Sequence, residues 1–277
     1  MNKSTLKHYI VEPHARLKFA RFDADDTGDY GRNDAGKAKA VADTAPILDR
    51  LRRLQERLYA NADRALLIIL QAMDTGGKDG AIKHVMAGVN PQGCRVTSFK
   101  APSARELSHD FLWRVHHEVP PKGHIGIFNR SHYEDVLITR VHGMVSDETA
   151  EERFKHIMHF ERLLSENGTA ILKFFLYISK DEQQKRLEGR VRNPEKRWKF
   201  NPGDLVERAH WEKYMAAYEA AISATSTKWA PWYVVPANRK WYRNVVIAQT
   251  IVQTLEDMNL IHPPAPAGVD FEKLKIV

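Results

Sequence analysis

Hydrophobic and polar positions along this chain switch repeatedly between two periods. Residues 45–60, "APILDRLRRLQERLYA", set Ile47, Leu51, Leu54 and Leu58 at helical spacing, which predicts an amphipathic helix. "ALLIILQA" (65–72) follows as a continuous apolar run, the pattern of a strand covered on both faces. "GKDGAIKHVMAGVN" predicts a helix stopping near Gly88 and Asn90, ahead of Pro91, and "CRVTSF" (94–99) a β-branched strand. "SARELSHDFLWRVHHEV" (103–119) reads as helix, "HIGIFN" (124–129) as strand, and 146–168 as a helix capped by Ser146 and stopped by Gly168. "AILKFFLYIS" (170–179), a basic helical stretch, "WYVVPA" (232–237) and a helix over 241–258 complete the series. Strands alternating with helices predict an α/β fold, a parallel sheet covered by helices on both faces with right-handed crossovers. Residues 1–45, polar at "DADDTGDYGRNDAGKAKA", read as an exposed, poorly structured N-terminal extension, leaving 46–277 as one core.

With 277 residues, 43% of them hydrophobic, the chain can bury one large core. Its apolar runs are too short to span a bilayer and its first residues lack the apolar segment of a secretory signal, so a cytoplasmic protein without a membrane partner is expected. The single cysteine, Cys94, agrees with a reducing compartment and reads as a small buried hydrophobe. A net charge of +7 favours a polyanionic partner. Over 186–203, six basic residues (Arg186, Arg190, Arg192, Lys196, Arg197, Lys199) stand against Glu188 and Glu195. Taken alone, that run reads as a solvated helix face. His156 and His159 lack a third ligand for a metal, and the aromatics read as core, with Trp198 inside the basic run as the exception.

The stretch "QAMDTGGKDGAIKH" (71–84) changes the picture. Gly76, Gly77 and Gly80 surround Lys78, with Asp74 and Asp79 on either side, where the first strand turns into a helix. Such a turn lets backbone amides approach a phosphate and aims a helix N-terminus at it. It departs from G-x-x-x-x-G-K-[ST], having Ala72 for the first glycine and Asp79 for the hydroxyl. A second strand ends in Asn129, Arg130 and Ser131, with Glu134 and Asp135 within a turn. Carboxylates at a strand end beside a phosphate loop hold Mg²⁺ between phosphate oxygens in phosphoryl-transfer enzymes. On this reading Asp74 and Asp135 coordinate the metal, Lys78 and Arg130 neutralise developing charge, and the basic run becomes an arginine-rich lid that keeps water out.

"QAMDTGGKDGAIK", "FNRSHYEDVL", "RNPEKRWKFNPGDLVERAHWEKY" and "ATSTKWAPWYVVPANRKWYRN" together resemble the type-2 polyphosphate kinases, in order and over nearly all of the chain after about residue 45. The resemblance implies a three-layer α/β/α P-loop kinase core with a helical lid at about 183–215. It implies phosphoryl transfer between inorganic polyphosphate and nucleoside mono- or diphosphates, adenine or guanine, with Mg²⁺ or Mn²⁺, in a homodimer or homotetramer. Asp74 and Lys78 match the family's aspartate and lysine of the phosphate loop, Lys83 the basic residue of the next helix, Arg130 the arginine after the second strand, and Arg190, with Arg186 and Arg192 beside it, the lid arginine. Many members carry Asp where this chain has Asn129 and Asn where it has Glu134, which opens the question of which carboxylate holds the metal; Asp135 is assigned. The Tyr-Glu-Asp version looks like the branch that accepts both AMP and ADP. A polyphosphate channel needs cations in a row, and Lys78, Lys83, Lys100, Arg130 and the lid arginines could supply it, with Gly76, Gly77, Asp79 and Gly80 shaping the loop. Rival readings are an ATP-dependent nucleotide or metabolite kinase, a nucleic-acid binder, for which carboxylates beside the anion have no use, and a polyanion sensor without turnover.

Overall fold

The computed structural model describes residues 3–268 and 271–274; residues 1–2, 269–270 and 275–277, part of the expected extension and core, lie outside the described residues. Six strands, β1 (Ile10–Val11), β2 (Ala65–Gln71), β3 (Cys94–Ser98), β4 (Ile125–Asn129), β5 (Thr169–Tyr177) and β6 (Trp232–Pro236), form one sheet in the order β1-β6-β5-β2-β4-β3. All neighbours run parallel except β1 on β6. All seven residues of β2 are buried, which accounts for its uninterrupted apolar run: it lies between β4 and β5 with helices over both faces. Helices Asp34–Asn61, Lys78–Val85 and Lys240–Asp257 pack together as one group, and Asp147–Glu166 with Trp211–Thr225 as another.

Three sequence expectations are corrected. The described residues of the expected 1–45 extension are not a loose approach: Tyr9, Val11, Leu17, Phe19 and Tyr30 are buried in the main core, and β1 closes the sheet edge through Ile10 opposite Tyr233. A two-residue strand carries no period to read. The first long helix starts at Asp34, capped by Asn33 accepting from the Gly36 amide, and runs through Pro46. The helix expected over 103–119 is two short ones, Ala104–Leu107 and Trp113–His116, parted where the Asp110 side chain accepts from the Leu112 amide, a local bond that competes with helix continuation.

Parallel strands bring their carboxyl ends to one edge, where ligands bind in such sheets. Leu70 of β2 lies opposite Asn129 of β4 and Phe174 of β5, and Tyr177 of β5 opposite Pro236 of β6. The glycine loop, Arg130, the start of the basic helix Lys180–Arg192 and the loop before Lys240 therefore meet at one rim.

Candidate active site

The glycine loop is shaped by its own backbone demands. Thr75 and Gly77 have φ of 61° and 98°, and a Cβ on Gly76 would meet the Met73 carbonyl at 2.8 Å, so only glycine lets the chain close so tightly into helix Lys78–Val85. Lys78 donates from Nζ to the Ala72 carbonyl at 2.9 Å. Burial lowers its pKa, and the Asp74 carboxylate opposes the shift. Asp79 accepts from Asn129 Nδ2 at 2.7 Å, tying the loop to the tip of β4.

Arg130 follows that tip with φ of 61°, a left-handed conformation that costs a non-glycine residue energy and recurs at functional sites. It presents Nη2 to Asp74 Oδ1 at 3.1 Å. Glu134 belongs to the same group: burial raises its pKa, Arg130 and Lys78 pull it down, and Asp74 pushes it up. The next residue does not join them. Asp135 faces Arg114, whose Nη2 is 3.8 Å from Oδ2, and burial raises its pKa with Arg114 and Arg153 opposing. This corrects the expected pairing of Asp74 with Asp135. In the 3₁₀ turn His132–Val136 adjacent side chains diverge, and Glu134 is the one that lines a cavity together with Asp74 and Arg130. Beneath the turn, the Tyr133 hydroxyl bonds to Glu161 and Thr225, and the fully buried Lys173 reaches Glu161 at 2.6 Å. That satisfied network fixes the turn against the core.

The three candidate lid arginines separate by geometry. Arg186 spends its guanidinium on the Thr75, Gly76, Ala237 and Asn238 carbonyls. Arg192 pairs with Glu188 at the surface and lines neither the cleft nor the smaller cavity described below. Arg190 lines the cleft and is held through Nη1 by Asp204 and the Lys199 carbonyl, each at 3.1 Å, with no bond to Nη2 or Nε among the described residues. Gln183 steadies the loop below by donating to the Asp74 carbonyl at 3.0 Å. Trp198 is 78% exposed under Lys199 Nζ, so it is not core.

These elements enclose a cleft of about 1730 Å³ that contains Asp74, the glycine loop, Lys83, Lys100 and Arg130. Thirteen lysines and arginines line it against five carboxylates, an excess of eight charges where the whole chain carries seven. A smaller cavity of about 210 Å³, walled by Glu134, Tyr214 and Tyr218, shares Asp74, Arg130 and Asp204 with the cleft.

Residues 34–263 match the family model described as polyphosphate kinase 2. The chain belongs to the polyphosphate kinase 2 family. It is 53% identical to an AMP/ADP-polyphosphate phosphotransferase of Meiothermus ruber, over 93% of this chain and 96% of that one. It is 48% identical to an ADP-polyphosphate phosphotransferase of Rhodopseudomonas palustris, over 78% and 79%. The crystal structure of polyphosphate kinase 2 from Arthrobacter aurescens superimposes with a TM-score of 0.91 at 45% identity, covering 96% of this chain and 94% of that one, so the P-loop kinase-like fold is shared.

Within this polyphosphate kinase 2 fold, sequence reasoning missed Asp204 and Arg243. Both lie inside stretches that carry the family resemblance, yet nothing local to either residue tells what it touches. Among the described residues no three His, Cys, Asp or Glu side chains form a metal cage. Asp74 and Glu134 both line the smaller cavity, and as hard oxygen donors they are of the type that would suit Mg²⁺, which takes one or two carboxylates.

Proposed function

We propose that this chain transfers phosphoryl groups from inorganic polyphosphate to AMP and to ADP, reversibly and with Mg²⁺ or Mn²⁺, and that guanine nucleotides serve as further acceptors. The observation that carries this reading is the cationic excess of the cleft, whose lining includes Asp74, Lys78 and Arg130. A linear polyanion several phosphates long fits such a trough, and the relatives named for AMP and ADP transfer support the choice of acceptor. An oxygen of the acceptor's terminal phosphate attacks the terminal phosphorus of the polymer. A new phosphoanhydride bond forms, the old one breaks, and the polymer leaves one phosphate shorter. Lys78 and Arg130 neutralise charge on the transferred group, and Arg190 lies on the lid side with nitrogens free to join them. Asp74 and Glu134 would hold the metal ion, which would supply positive charge to the transferring phosphates. The carboxylates beside an anion site argue against nucleic acid as ligand, and assembly into dimers or tetramers in the cytoplasm belongs to the same proposal. Among the described residues no helix is long and apolar enough to cross a membrane.

The test is direct: purified protein with Mg²⁺ and polyphosphate is offered AMP, ADP, GMP and GDP separately, and products are resolved by chromatography. ADP and ATP are expected from AMP. Phosphorylation by ATP with none by polyphosphate would instead identify an ATP-dependent kinase.

A further inference from the structure

Beneath the glycine loop lies a charge that the transfer chemistry leaves unexplained. Arg243, on the helix Lys240–Asp257, is 1% exposed yet lines the cleft. Its Nη1 donates to the Gly77 carbonyl at 3.1 Å, and its Nε and Nη2 to Asn244 Oδ1 at 3.1 and 2.8 Å. A Cβ on Gly77 would strike that Nη1 and stand 3.6 Å from Nη1 of Arg186, so two guanidiniums press on one glycine. With Arg186 on Thr75 and Gly76, three successive loop carbonyls are occupied, which keeps their negative ends from an incoming anion.

What Arg243 lacks is a countercharge. Arg186 has Glu182 at 2.7 Å, whereas no carboxylate among the described residues forms an ion pair with Arg243. Its charged neighbours are cations. Burial, then Arg186, lowers its pKa to about 10, and Lys240 beside the pair is lowered by burial, Arg186 and Arg243. A buried unpaired charge is among the costliest features a fold can carry, and hydrogen bonds to neutral oxygens offset only part of it. The cost is recovered when an anion arrives.

We infer that Arg243 is a further polyphosphate-binding residue, a buried cation under the glycine loop whose countercharge is the bound polyanion itself. This rests on the polyphosphate reading above. The cleft is then under electrostatic strain when empty and relaxed when filled, so Arg243 couples ligand binding to stability of the whole domain: helix Lys240–Asp257 packs on Asp34–Asn61 and on Lys78–Val85.

Thermal unfolding of the full chain, without and with saturating inorganic polyphosphate, tests the coupling on the parent and on Arg243→Gln, Arg243→Met and, as an exposed cleft control, Lys83→Ala. Gln retains a donor for the Gly77 carbonyl; Met removes it. Without polyphosphate Arg243→Gln should unfold at or above the parent's temperature. With polyphosphate it should fall about 4 °C or more below, the displacement that roughly 1–2 kcal/mol of lost coupling gives a domain of this size. Lys83→Ala should lose part of the polyphosphate effect and gain nothing without it. An equal displacement of variant and parent under both conditions, or failure of both Arg243 variants to fold, would overturn the inference. If polyphosphate leaves the parent's own unfolding unchanged, the functional reading falls with it.

Discussion

Glu134 and Asp135 are neighbours in sequence with opposite surroundings. Glu134 faces Asp74, Lys78 and Arg130; Asp135 faces Arg114. Glu134→Gln should therefore lower turnover by about a hundredfold, as expected when a group acting on developing charge is lost, and shift the Mg²⁺ requirement upward. Asp135→Asn should act on stability, costing about 2 kcal/mol by leaving Arg114 poorly paired, with Mg²⁺ dependence unchanged. Steady-state rates against Mg²⁺ and thermal melts separate the two. A pH effect follows from the same carboxyl. Burial raises the folded pKa of Glu134 above its unfolded value, so the folded state binds the proton more tightly. Stability from this group is present at low pH and is lost as pH rises from the unfolded pKa through the folded one. Activity should run the other way, since the proposed metal binding needs the carboxylate. Replacing Glu134 by Gln should flatten both trends, and melts and rates followed upward in pH from the ordinary carboxyl range would read them.

At the scale of elements, the regular pieces were legible because burial imposes a period. The β2 run, the Ser146 cap accepting from the Thr149 amide, and the glycine turn all stand where their residue patterns place them. What stayed hidden depends on partners far along the chain. β1 is recognisable only beside β6, the buried N-terminal segment only against Tyr242 and the sheet, and Asp135 only with Arg114 in view. The arginine run is the sharpest case, since four arginines of one segment share a charge and differ only in what they touch. Arg186 braces the loop, Arg192 sits on the surface, and Arg190 alone of the three candidates keeps free nitrogens toward the cleft. Arg190→Ala should cut turnover about a hundredfold or more with the fold intact. Arg192→Ala should change turnover less than twofold, because an exposed i,i+4 pair contributes only about 0.3–0.5 kcal/mol. Equal losses in the two variants, measured at saturating substrates, would reassign the lid arginine.

The whole molecule carries a basic charge because one trough does. Eight excess cations line the cleft and the chain totals seven, so the rest of the chain sums to about neutral and the net attraction for a polyanion comes from the cleft. Such focusing raises local anion concentration and is screened by salt. The Debye length falls from about 10 Å at 0.1 M salt to about 3 Å at 1 M, so groups spread along a trough lose contact with a long ligand's charge while the buried groups at its end keep theirs. The KM for long-chain polyphosphate should therefore climb with added KCl, much more steeply than the KM for AMP, whose few charges can engage fewer cations at once. Chain length sets the slope: tripolyphosphate, reaching fewer cations, should show a shallower rise than a polymer of tens of phosphates. Initial rates over a KCl series with both donors and a fixed acceptor measure this. Parallel slopes for short and long donors would mean that the trough beyond the glycine loop does not hold the chain, and that the basic charge serves another ligand.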